Sequence, residues 1–256
     1  MSEIKFLLEF GKREHLESLV EGNIYCSNAI TFWRIEDRLK IKGQEDILEA
    51  RTRMFAEKMI MQHLDTKEVI AEFGKAIGLM RVEPAEKILV FCMFAVYEED
   101  CKFDEHGNTI VNLSRDKKQT IREHFPNADA VAAIPNPEAF IEDISKSIGT
   151  DIKAVKVNYF HIDKSYETKD GRTAMDMEYM KYLMQDAVPE KADGGTRYVF
   201  YADYAFRVLF CKDVFFEQEQ EYRIVLPKEK IEVGKGYPVQ LSADYEIYDL
   251  NTFFEN

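Results

Sequence analysis

The sequence has few features of metal, membrane or secreted proteins. Its four cysteines lie far apart without a CxxC pair, and its five histidines show no HxxxH or HxxEH spacing, so a zinc site has little support. No stretch approaches the roughly 18 to 20 apolar residues of a membrane helix, and the N-terminus lacks a signal-peptide pattern. We therefore expect a cytoplasmic protein with free thiols, no metal site and no membrane segment.

Common catalytic signatures are also absent. The chain has no GxSxG, no Walker loop, no GxGxxG and no HD-type metal pattern, which argues against standard hydrolases, NTPases and dehydrogenases. Cationic residues are outnumbered, with 34 Lys and Arg against 47 Asp and Glu and a net charge of −13. This balance argues against general binding to nucleic-acid phosphates and fits a small-molecule or protein partner better.

Apolar residues are plentiful enough for a globular core. Hydrophobic residues make up 46% of the chain, with 18 Phe and 13 Tyr. The nearly continuous apolar run over 87–97 predicts a central strand covered on both faces. Further strands are predicted over 4–10, 23–27, 129–134 and 153–162, and helices over 12–21, 114–124, 137–148 and 176–187. We expect one domain over residues 1–256, of α+β (mixed α/β) class, with flanking helices around a central, partly antiparallel sheet.

Two further regions have helical spacing. Strong helix formers and apolar spacing over 45–63 and 65–80 predict a helical insertion at about 43–84. Inward-facing apolar residues over 197–212 predict another helix, which leads to the most charged stretch of the chain.

That charged stretch, residues 215–227, has the sequence FFEQEQEYRIVLP. Its β-branched and aromatic second half predicts a strand that ends at the proline. If the segment is extended throughout, Glu217, Glu219, Glu221 and Arg223 share one face. Two interpretations stay open: a solvated edge strand blunted by charge, or a site in which Arg223 holds one carboxylate and another does chemistry.

Three segments resemble a family of uncharacterised bacterial domains, some of them associated with abortive infection or phage defence. They are FGKREHLESLVEGNIYCSNAITF near the start, the CMF strand at 92–94, and FCKDVFFEQEQEYRIVL near the end. The resemblance to these domains covers most of the chain, and residues 212–226 are its specific part. The chain also resembles the ADP-ribosyltransferase fold, which opens with strand, helix, Gly and strand and carries its key glutamate in an ExE or QxE motif on a late strand. Together the two resemblances imply a defence protein or toxin that cleaves NAD and transfers ADP-ribose to an acceptor.

The resemblance also implies roles for individual residues. Glu221 would hold a ribose hydroxyl and stabilise the oxocarbenium-like centre as nicotinamide leaves, because a fixed carboxylate in a water-poor cleft stabilises positive charge. Glu219 would orient or deprotonate the acceptor. The residues assigned to NAD binding are Lys5, Tyr25, Ser27 and Arg223. Lys5 stands on the first strand, where family enzymes carry His or Arg against NAD, while Tyr25 and Ser27 would position the ring.

A competing interpretation is a non-catalytic sensor or interaction module of a phage-defence system. On this hypothesis the acidic strand, and Trp33 with its charged neighbours, face a partner protein. A third class, an RNA-directed factor, is disfavoured by the acidic charge balance. Release of nicotinamide from NAD separates the first two hypotheses.

Overall fold

The computed structural model describes residues 3–39, 48–63, 65–162, 166–167, 173–174, 176–192, 195–199, 203–226 and 233–255. The first elements in chain order are β1 (Phe6–Gly11), α1 (Arg13–Val20), β2 (Asn23–Tyr25), α2 (Ala29–Leu39), β3 (Arg51–Ala56), β4 (Met59–Gln62), β5 (Val69–Phe73), β6 (Ala76–Arg81), α3 (Glu83–Glu86), β7 (Leu89–Val96), β8 (Cys101–Phe103), β9 (Thr109–Val111) and α4 (Arg115–His124). They are followed by β10 (Ala130–Ile134), α5 (Pro137–Ile148), β11 (Lys153–Lys156), β12 (Asn158–Phe160), β13 (Tyr166–Glu167), β14 (Thr173–Ala174), α6 (Met177–Met184), β15 (Val188–Ala192), β16 (Gly195–Val199), α7 (Asp203–Leu209), β17 (Cys211–Asp213), β18 (Glu221–Leu226), β19 (Gly236–Pro238), β20 (Glu246–Asp249) and α8 (Leu250–Glu255).

The chain forms two compact units. Unit 1 comprises Met1–Asp46, Lys87–Val157 and Phe215–Asn256, and unit 2 comprises Ile47–Glu86 and Asn158–Val214. Helices and strands occur in both, and the main sheet of unit 1 is antiparallel, which confirms the predicted α+β class.

Unit 1 is built on a six-stranded sheet with the order β11-β18-β7-β1-β10-β20. All five strand pairs within it are antiparallel. The apolar strand β7 lies between β18 and β1, as its continuous hydrophobic sequence predicts. β1 pairs with β10 as far as Gly11 but with β7 only over Phe6–Leu8. The two central strands therefore part beyond Leu8.

Side chains of the sheet alternate between two cores. One face packs Leu7, Met93 and Ile224 against α1 and α5, and the other packs Leu8 and Phe94 against α4 and α8.

Side-chain caps fix the first turns of two of these helices. The Ser114 hydroxyl accepts from the Lys117 backbone amide at 3.3 Å at the start of α4, and the Asn136 side chain accepts from the Ala139 amide at 3.1 Å at the start of α5.

Unit 2 contains a β-ribbon where helices were expected. β3 pairs with β6 and β4 pairs with β5, so residues 51–81 form two consecutive antiparallel ladders. The helices predicted over 45–63 and 65–80, and with them the helical character of the 43–84 insertion, are wrong for this part; residues 40–47 and 64 lie outside the described residues. Val, Ile and Phe on β5 favour strands, and apolar residues on both ladder faces imitate helical spacing.

Two further boundaries differ from the sequence-based prediction. The helix expected over 197–212 is only α7, because β16 occupies the residues up to Val199 and β17 begins at Cys211. The strand expected over 153–162 is divided at Val157, with β11 on the six-stranded sheet and β12 paired in parallel with β17.

No helix in the described ranges is long and apolar enough to cross a bilayer. Within those same ranges, no group of three or more His, Cys, Asp or Glu side chains is placed to hold a metal ion.

Candidate functional site

The acidic stretch before β18 is not extended. Val214–Glu219 forms a 3₁₀ helix, and Gln220 has a φ of 42°, in the left-handed region. Gln220 is held in this conformation by its own side chain, whose Nε2 donates to the Ala95 carbonyl at 2.7 Å and to Asp100 Oδ2 at 2.8 Å. The prediction of four charged residues on one strand face is therefore wrong, since the left-handed residue interrupts the strand period.

Glu221 and Arg223 form a pair within unit 1. Arg223 Nε donates to Glu221 Oε1 at 2.6 Å and Arg223 Nη2 donates to Oε2 at 3.3 Å. The two side chains are 2% and 8% exposed for Arg223 and Glu221, respectively. In this fork geometry each buried charge has a close partner of opposite sign. The interpretation in which Arg223 holds a carboxylate describes this arrangement, whereas a solvated edge does not, because β18 lies between β11 and β7.

Glu219 has a different partner. Its Oε1 lies 2.7 Å from Nδ1 of His124, at the end of α4, and both side chains are about nine-tenths buried, with exposures of 11% and 8%. The His124 ring stacks on Phe215 with a centroid distance of 5.7 Å and meets the edge of Phe216 at 6.1 Å. The two glutamates of the ExE motif therefore have different partners, His124 for Glu219 and Arg223 for Glu221.

A pocket of about 490 Å³ opens in unit 1 at the point where β1 and β7 part. Its apolar wall includes Leu16, Leu19 and Phe91, and Glu9 and Tyr25 line it as well. Glu9 lies on the face of β1 that packs toward α1, two residues after Leu7. A carboxyl group is therefore placed in an accessible cavity whose lining is apolar apart from His15, Asn23 and Tyr25.

The environment of Glu9 raises its pKa to about 8. Burial is the main cause, because it disfavours the charged form, and the negative charge of Glu221 adds to it. Among the residues that the structure describes, none donates a hydrogen bond or an opposite charge to this carboxyl. A partly accessible carboxyl that titrates near neutral pH has the property expected of a general acid or base.

Close backbone packing positions Tyr25, another of the polar residues that line the pocket. Gly22 has a φ of 95°, and a Cβ at this position would lie 2.2 Å from the Val239 carbonyl oxygen, so only Gly fits. This contact brings β19 alongside β2. A Cβ on Gly236 would lie 3.2 Å from the Tyr25 ring, which shows how closely the ring covers that backbone. Tyr25 is 49% exposed and faces the pocket.

The remaining predicted site residues do not line this pocket. Lys5 pairs with the exposed Glu3 at 2.9 Å, and this neighbour raises the pKa of its amine. Ser27 is half-buried and exchanges two backbone hydrogen bonds with Val90, of 3.0 and 2.8 Å. The structure thus brings Glu221 and Arg223 together and places Tyr25 beside Glu9, whereas Glu219, Lys5 and Ser27 have other neighbours.

Sequence reasoning missed Glu9. One signal was available, because Glu9 is the only charged residue in the strand sequence FLLEFG. A lone carboxylate in an apolar strand must be paired, protonated or exposed in a cavity.

Scans of family models, curated proteins and solved structures each returned no match to this chain.

Proposed function

We propose that the Glu9 pocket is a small-molecule site of ADP-ribosyltransferase type, which takes the nicotinamide-riboside end of NAD. The observation that carries this proposal is the Glu9 carboxyl, with its pKa raised to about 8, facing a pocket of about 490 Å³ beside Tyr25. This volume lies within the roughly 300 to 1,000 Å³ of small-molecule pockets. The role in bacterial defence or as a toxin that the resemblance implies belongs to the same proposal.

The chemistry assigns Glu9 two successive tasks. When the N-glycosidic bond breaks, its electron pair leaves with nicotinamide and positive charge develops on the ribose, which ionised Glu9 would stabilise. An acceptor hydroxyl, water being the simplest, then bonds to the ribose carbon and gives its proton to the Glu9 carboxylate. Glu221 acts from the opposite face of the sheet by charge repulsion on Glu9.

Nicotinamide release from NAD at pH 8 tests this assignment with three variants. Glu9→Gln should lower the rate by about 100-fold or more, because it removes the base and the charge. Glu138→Gln, an exposed position on α5, is the matched control and should leave the rate unchanged. Loss of release in Glu221→Gln but not in Glu9→Gln would move the catalytic role to Glu221, as the ExE motif implies.

The second candidate is a non-catalytic interaction module, and the β4–β5 hairpin of unit 2 favours it. On one face of this hairpin Met59 lies opposite Phe73 and Met61 lies opposite Ala71. Met59, Met61 and Phe73 are 38%, 49% and 47% exposed. Clustered exposed apolar side chains mark contact surfaces. Absence of both nicotinamide release and an NAD-induced thermal shift would select this candidate.

A further inference from the structure

A second cavity of unit 1 lies between α4 and α8 and has a volume of about 590 Å³. Its principal lining residues are Leu113, Arg115, Lys118, Arg122, Glu123 and Phe254. None of them lines the Glu9 pocket, so the two cavities are separate sites.

The charge of this cavity is opposite to that of the whole chain. Arg115, Lys118 and Arg122 recur every three or four residues along α4, which places them on one helix face. Glu123 is the acidic lining residue, and its Oε1 accepts a hydrogen bond from Gln119 Nε2 at 2.8 Å. Three cations therefore face one carboxylate, in a protein with a net charge of −13.

These cations have no carboxylate partner among the residues described. Lys118 Nζ donates to the Phe254 carbonyl at 2.5 Å, and Arg122 Nη2 donates to Asn251 Oδ1 at 3.2 Å. No salt bridge is found for Arg115 within those ranges. Like charges on neighbouring helical positions repel each other. An anion bound in the cavity would therefore reduce the repulsion among Arg115, Lys118 and Arg122.

The contacts of Lys118 and Arg122 with neutral groups also hold these two side chains in position. The Arg122 guanidinium lies 5.3 Å from the centre of the Phe254 ring, and the Lys118 amine lies 6.0 Å from it. A guanidinium that stacks on a ring keeps its N–H edge free for a planar or tetrahedral oxyanion. Arg122 uses one of its five N–H donors on Asn251.

We propose that this cavity binds a small molecule that carries a phosphate group. Arg115, Lys118 and Arg122 hold the phosphate oxygens, because Arg matches two oxygens with a fork of donors and Lys adds a point charge. The rest of the ligand lies against Leu113 and Phe254, which form the apolar part of the lining. The site is independent of NAD cleavage in the Glu9 pocket.

Calorimetric titration at low ionic strength tests this site with inorganic phosphate, pyrophosphate and AMP as probes, since salt screens such contacts. We expect all three to bind the wild-type protein, and AMP to bind most tightly because its adenosine part adds contacts beyond the phosphate. The double variant Arg115→Gln/Lys118→Gln should weaken AMP binding by about 30-fold or more. Lys156→Gln, an exposed lysine on β11, removes one positive charge outside the cavity and should change affinity less than twofold.

Three results would overturn the proposal. They are no binding of any probe at millimolar concentration, unchanged AMP affinity in the double variant, and an equal loss in Lys156→Gln. Binding of a single-stranded RNA oligonucleotide without binding of AMP would also overturn it, in favour of a nucleic-acid surface. Thermal unfolding shows whether the double variant is folded at the temperature of the titration.

Discussion

Glu9 and Glu221 are two carboxylates of one sheet, on strands separated by β7, and they differ in how their charge is compensated. Glu221 pairs with Arg223 at 2.6 Å. Glu9 has no such partner among the described side chains. Its pKa is raised to about 8, so it keeps its proton until the pH approaches that value. A paired carboxylate can serve the fold without titrating near neutral pH. An unpaired one beside a cavity is available for proton transfer.

The largest expected effect comes from breaking the ion pair between Arg223 and Glu221. Arg223→Met removes the guanidinium that pairs with the buried Glu221 carboxylate, and the free energy of unfolding should fall by about 3 kcal/mol or more. Urea unfolding measures it. The double variant Arg223→Met/Glu221→Leu should recover most of the loss, because it removes both charges and fills similar volume. A loss below about 1 kcal/mol in the single variant would place this pair among solvent-screened surface pairs.

Glu9 should make the free energy of unfolding depend on pH, with a smaller effect than that of Arg223→Met. Its folded pKa of about 8 exceeds the ordinary value of 4.5, so the folded state binds the proton more tightly than the unfolded state. The contribution of Glu9 to stability is therefore fully present below pH 4.5 and is lost as pH rises through about 8. We expect a decline of about 2 kcal/mol between pH 5 and 9, since solvent at the pocket mouth weakens the burial penalty.

Glu9→Gln should remove this decline, because Gln does not titrate. Thermal or urea unfolding of both proteins between pH 5 and 9 gives the difference, in which all other titrating groups cancel. Parallel stability curves for wild type and variant would mean that Glu9 is as well compensated as Glu221.

The smallest effect belongs to Glu219. Glu219→Gln keeps a hydrogen-bonding group opposite His124 and removes only the charge, so unfolding should become easier by about 1 kcal/mol. Glu217→Gln, an exposed position two residues away on the same 3₁₀ helix, is the control and should stay within about 0.5 kcal/mol. A cost at Glu219 as large as that of Arg223→Met would show that the two glutamates act as one network.

The parts of unit 1 that depend on local signals were predictable. The apolar sequence of β7, the Ser114 cap of α4 and the Pro137 start of α5 each determine their element through neighbouring residues alone. The ribbon at 51–81 was not predicted, because strand preference depends on cross-strand neighbours, and the spacing of its apolar residues also fits a helix.

The candidate site was predictable only in part. The pairing of Glu221 with Arg223 follows from their spacing on one strand, since residues two apart share a face. The partnership of Glu219 with His124 spans 95 residues, and the isolation of Glu9 depends on where β1 and β7 part. Neither has a signature in neighbouring residues.

Gln220 has a consequence for how this protein can evolve. Its left-handed conformation lies between Glu219, which contacts His124, and Glu221, which pairs with Arg223. In diverged copies we therefore expect positions 219 and 124 to change together, and positions 221 and 223 to change together. The two pairs should vary independently of each other. The backbone angle alone would admit Gly or Asn at position 220. The hydrogen bond from Gln220 to Asp100 favours Gln there, so we expect positions 220 and 100 to change together as well. Where Asp100 is replaced, glycine becomes the expected residue at 220.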